Sequence, residues 1–142
     1  MNKTLPLDGK LVDDIKRNNG GDSQVDKANV SNNTEIEKAK ALIIVEIIEY
    51  IPNSVLTKTI IKKSTGNISI MSVDAGEALT EKISPFDSFA QVIDGRAEIV
   101  IDGKSNFLET GQGIILPAHV PNTICANERF KMILTVIKSG YE

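Results

Sequence analysis

The chain has 142 residues, 41% of them hydrophobic, 25% charged and 4% aromatic, with no Trp and a formal net charge of −3. That length suits one domain able to bury a core. The mild acidity gives no electrostatic reason to expect nucleic acid or an anionic membrane as a partner. A single cysteine, Cys125, leaves no internal disulfide to form and no sign of an oxidising compartment. Met1 to Pro6 lack the apolar run of a secretory signal. The most apolar stretch, Ala41 to Ile48, is interrupted by Glu46 and is too short to span a bilayer. The expectation is a soluble cytoplasmic protein.

Residues 1–33 read as an extension or linker. Leu11, Val12 and Ile15 offer a turn or two of amphipathic helix within Leu7–Arg17, followed by polar runs rich in Asn and Gly at Asn18–Ser23 and Ser31–Asn33. Residues 34–142 read as one folded domain. Thr34-Glu35-Ile36-Glu37 fits a capping box, and Ile43, Ile44, Ile47 and Ile48 have helical spacing, which predicts a helix from Glu35 to about Tyr50. The β-branched residues in that run also allow an extended segment near Ala41–Val45, breaking the helix in two.

From Ser54 the period changes to two. Val55–Lys63, Asn67–Asp74, Ser88–Ile93, Ala97–Ile101, Ser105–Glu109, Gly113–Leu116, Asn122–Cys125 and Phe130–Lys138 read as strands. Asp94-Gly95 and Asp102-Gly103 are strong tight-turn dipeptides. Many short strands after one helical segment indicate an all-β fold, an antiparallel barrel or jelly roll with the helix packed outside.

Two glycine-framed stretches refine this. The first starts at Gly76, passes Lys82, Ser84 and Ser88, and closes at Gly95. The second runs from Gly111 through Pro117, His119 and Asn122 to Ala126. In order and spacing they resemble the two motifs of the cupin superfamily, in particular its small single-domain members, over residues 51–138. The resemblance implies an antiparallel jelly-roll β-barrel behind a helical N-terminal extension. It also places the family's metal ligands: two His at Lys82 and Ser84, a Glu at Ser88 and a further His at Asn122. None of these positions holds a metal-ligating residue type. A first-row metal needs three or four imidazole or carboxylate donors on one point. The lone His119 falls on the second motif's glycine, so no metal and no cofactor is expected.

Alternation puts Lys82 and Ser84 on one face, inside the barrel by the motif, with Ser88, Ala90 and Val92 sharing the inner face of a second strand and Asn122 and Ile124 opposite. The implied interior is apolar with a few convergent polar groups, the usual make-up of a small-molecule site. Lys82 sets a positive charge where the metal would sit, and Ser84, Ser88 and Asn122 add hydrogen bonds. The competing reading has Lys82 reaching solvent at the mouth or pairing with Asp87 or Glu81. His119, on a Pro-bounded turn, is a further candidate at the rim.

Three functions stay open: a metal-free module binding or sensing a small, anionic molecule; a metal-independent isomerase or epimerase; and an interaction protein with a filled barrel. A cavity above roughly 300 Å3 near Lys82 favours binding. Plugging by Met71, Met132 and Leu134 favours the last. Phe130–Lys138 is apolar on both faces, as expected of a strand between two layers, and with the resemblance this predicts a C2 homodimer.

Overall fold

The computed structural model describes residues 29–32 and 35–141. Among these residues, nine strands follow in chain order: β1 (Asn29–Asn32), β2 (Val55–Lys63), β3 (Gly66–Val73), β4 (Ala78–Lys82), β5 (Asp87–Ile101), β6 (Lys104–Glu109), β7 (Gly113–Leu116), β8 (Asn122–Cys125) and β9 (Phe130–Ile137). The helical turn expected within Leu7–Arg17 lies outside the described residues. β2 to β9 pair antiparallel, whereas β1 runs parallel to β2, beginning with Asn29 opposite Val55. The polar stretch read as linker therefore contributes an edge strand. No helix among the described residues is long and apolar enough to cross a membrane.

The strands form two faces, β1-β2-β3-β9-β5-β7 and β6-β5-β8-β4, and β5 belongs to both. Up to Gly95 it pairs with β9; from Arg96 onward it pairs with β6, and from Glu98 also with β8. Asp94-Gly95, expected as a hairpin turn, is instead a bulge inside this one long strand, with a register shift between Val92 and Asp94. The cause is local. Gly95 has φ 87°, and a β-carbon placed there would lie 2.2 Å from the carbonyl oxygen of Arg129. The positive φ is used to bend β5 across the start of β9, with Gly95 still opposite Phe130, and not to reverse the chain. Asp102-Gly103 does make the expected tight turn, with φ 49° and 80°.

Alternation then fills the space between the faces. Met71 and Val73 of β3, Ala90 and Val92 of β5, and Phe130 and Met132 of β9 meet Ala97, Ile99 and Ile124 from the opposite face in one buried cluster.

The helix predicted over Glu35–Tyr50 does not form. Only Ile44–Glu46 make a single 3-10 turn. β-Branched residues dominate this run and weaken helix formation, and the barrel claims the backbone groups a helix would use. Lys131 donates from Nζ to the Val45 carbonyl at 2.7 Å, Lys58 to the Ile47 carbonyl at 3.3 Å, and the Ser72 hydroxyl to the Glu49 carbonyl at 2.7 Å. Ser72 and Lys131 are buried on the outer face of the larger sheet. There the irregular segment satisfies groups that would otherwise be buried without partners. Glu35, placed by the sequence at the helix start, accepts a hydrogen bond from the backbone N–H of Lys62.

Tyr50 fastens the end of this segment. Its hydroxyl donates to Asp94 Oδ2 at 2.6 Å, and its ring lies under Arg129 at 4.3 Å and Lys131 at 4.9 Å. Burial first, then the bond to the Asp94 carboxylate, push the phenol above its ordinary pKa. It stays a donor at all pH values where the protein is expected to work.

Gly95→Ala should cost about 3 kcal/mol or more, since it adds both an unfavourable φ and a backbone clash. Gly103→Ala, with a similar φ of 80° but nothing within 4 Å of the added carbon, should cost only about 1 kcal/mol. Urea unfolding of the two variants checks the difference; equal losses would show that the close approach at Gly95 is not what shapes the corner.

Candidate functional site: a cavity at one end of the barrel

The two sheets part at one end to leave a cavity of about 180 Å3. Lys82, Ser84, Ser88 and Asn122, the four residues singled out on the motif frame, all line it, and Thr80 joins them. Leu79, Met71, Leu116, Ile124, Leu134 and Val136 supply the rest of the wall. The polar and apolar groups are layered. On the smaller sheet Lys82 pairs with Asn122, and one step inward Leu79 pairs with Ile124. On the larger sheet Ser88 pairs with Val136, then Ala90 with Leu134, then Val92 with Met132. Polar side chains thus ring the mouth, and the floor is apolar.

The volume falls short of the roughly 300 Å3 typical of larger ligand sites. Met71 and Leu134 fill part of the barrel from below, and Met132 is wholly buried beneath them. The barrel is partly plugged but not filled.

Hydrogen bonds hold the rim in place. The His119 N–H donates to the Ser84 carbonyl at 2.7 Å, and the Ala118 N–H donates to Asp87 Oδ1 at 2.7 Å. Together they tie the Pro117–Pro121 turn to the loop before β5. Tyr141 braces that loop from outside: its hydroxyl accepts from the Asp87 N–H at 2.7 Å, and its ring packs 5.9 Å from Phe86. The Ser84 hydroxyl accepts from the Phe86 N–H at 3.1 Å, so its own hydrogen remains available to a ligand. Lys82 is exposed at the mouth. Among the described residues it makes no ion pair; Asp87, a partner the sequence suggested, gives its carboxylate oxygen to Ala118 instead.

His119 is placed differently from the other four. It is exposed and does not line the cavity. Its φ of 66° keeps the left-handed backbone that glycine adopts easily, so the turn survives while the imidazole points away from the interior. Asp87, Phe86 and Tyr141 as rim supports were not legible in the sequence. Their partners lie 31 to 54 residues away along the chain, and no local pattern marks them.

The donor set does not fit a divalent transition metal. An ammonium repels a cation, and hydroxyl and amide groups bind such ions weakly. Among the described residues no group of three or more His, Cys, Asp or Glu side chains is placed to hold a metal ion.

Comparison with solved structures places this architecture. A conserved Streptococcus pyogenes protein of unknown function is 31% identical, over 78% of this chain and 97% of that one, with a TM-score of 0.71. A cupin 2 conserved barrel domain protein from Leptotrichia buccalis is 32% identical over 66% of this chain, with a TM-score of 0.64. A cupin superfamily protein from Desulfitobacterium hafniense is 24% identical, over 76% of this chain and 99% of that one, with a TM-score of 0.70. The chain has the cupin fold. It spans about half of the Leptotrichia protein, 46%, and nearly all of the streptococcal one, with which it shares a family. No protein-family model matches this chain, and no curated protein does.

Proposed function

We propose that this cupin is a cytoplasmic, non-catalytic module that binds or senses a small anionic molecule without a metal. One observation carries the reading: Lys82, Ser84, Ser88 and Asn122 surround one cavity mouth, where a positive charge and three neutral hydrogen-bonding side chains replace a metal's ligand set. A metal-independent isomerase or epimerase needs a positioned acid or base at its substrate. The cavity lining contains no carboxylate, His, Cys or Tyr among the described residues, and His119 stands outside it. The open space above Met71 and Leu134 weighs against a barrel that is merely filled.

Thermal unfolding with millimolar acetate, phosphate or sulfate tests this. At least one anion should raise Tm by a few degrees in the wild type and have no effect on Lys82→Met, which keeps the stem of the side chain and removes its charge. A shift that survives Lys82→Met would put the anion elsewhere.

We also propose that the cupin pairs as a homodimer through the outer face of its larger sheet. Ile115, Phe89, Thr135, Ile68 and Ile61 form one uncharged row straight across five strands, and Ile115, Phe89 and Ile61 are exposed. In the next row Asp87 and Lys63 sit at opposite ends, separated by Ile137 and Gly66. A two-fold axis between β9 and β3 would set each Asp87 against the second copy's Lys63, so a second copy is the matching occupant. Light scattering should give a dimer for the wild type and a monomer for Phe89→Lys. A monomeric wild type at tens of micromolar would overturn the proposal.

A further inference from the structure

Resting on the anion-binding reading above, we infer that the ligand is a short-chain aliphatic monocarboxylate, held with its carboxylate at Lys82 and its tail directed down between the sheets. Charge is the first constraint. Among the described residues Lys82 is the one charged side chain in the cavity lining. A dianion such as phosphate would bring a second negative charge against mostly apolar walls with nothing to compensate it.

The layering of the wall is the second constraint. Lys82 and Asn122 face each other across β4 and β8, and the next inward pair is Leu79 and Ile124. A carboxylate between the first pair accepts from the ammonium on one oxygen and from the Asn122 amide on the other. Anything attached to it and pointing inward meets only aliphatic surface. An inorganic anion would use the rim and leave that surface wet; an alkyl tail covers it. Among the described residues the lining has no aromatic ring for a planar ligand to stack on.

Volume sets the length. A cavity of about 180 Å3 is smaller than the roughly 300 Å3 of larger ligand sites, which suits a tail of a few carbons, about the size of butyrate. A much longer chain, stopped by Met71 and Leu134, would lift its carboxylate out of reach of Lys82.

Calorimetric titration of the full chain with sodium acetate, butyrate, valerate and octanoate, and with inorganic phosphate, tests this at constant ionic strength. From acetate to butyrate, affinity should rise about fourfold per methylene, and it should fall again at octanoate. Lys82→Met should weaken butyrate binding about tenfold or more. Leu134→Ala should deepen the floor and move the optimum one or two carbons longer; Leu134→Val, lower-risk for folding because it removes less, should move it the same way by a smaller step. Phosphate binding as tightly as butyrate would overturn the monocarboxylate, and acetate doing so would overturn the buried tail; loss of that binding in Lys82→Met would leave the anion reading intact. A chain-length series unaffected by Leu134→Ala and Leu134→Val would place the tail elsewhere and also overturn it. No binding by any of these anions would remove both.

Discussion

β5 has to leave one sheet and enter the other without a break, and the rest of the molecule follows from how it does so. Asp94 and Gly95 provide a bulge, and the missing side chain at Gly95 lets the strand pass within contact of the Arg129 backbone. The half of β5 before the bulge brings Ser88, Ala90 and Val92 to the inner surface of one sheet. The half after it brings Ala97 and Ile99 to the inner surface of the other. Asp94 also receives the Tyr50 hydroxyl, so the same corner anchors the segment covering the outer face. A side chain at position 95 would strain the chamber and its cover together.

Between the sheets, side-chain size grades the space from closed to open. Phe130, Met132 and Val92 close the deep end completely. Toward the mouth, Ala90 and Ser88 on β5 and the short β7 and β8 leave room. At the polar end, hydroxyls, an amide and an ammonium stand around the mouth, a set of groups poorly suited to a divalent transition metal. Fold alone does not determine which chemistry a barrel supports; the residues at the mouth do.

Much of this was legible in the sequence because strand alternation and glycine placement are local signals. β2, β7 and β8 begin and end where period-two patterning says they should, and of the five residues on the motif frame Lys82, Ser84, Ser88 and Asn122 line one cavity while His119 does not. The failures have a common physical origin. The Ile-rich run at 43–48 reads as helix by spacing, yet its carbonyls at Val45 and Ile47 are claimed by Lys131 and Lys58, and the following one at Glu49 by Ser72, all from distant strands. Asp94-Gly95 reads as a hairpin until β9 is seen to cross it. His119 takes the glycine's backbone conformation, which a motif can place, while the direction of its side chain depends on a bond to Ser84 that spacing does not reveal. The size of the cavity depends on how far Met71 and Leu134 project, a matter of packing and not of pattern.

The central claim is that a lysine charge stands in for a metal at this cavity. The most direct measurement is the transition-metal content of the protein, purified without a metal-affinity tag or chelator, by plasma mass spectrometry. The account predicts a metal content far below one ion per chain, unchanged in Asn122→Ala. One tightly held transition metal per chain, lost in Asn122→Ala, would contradict it.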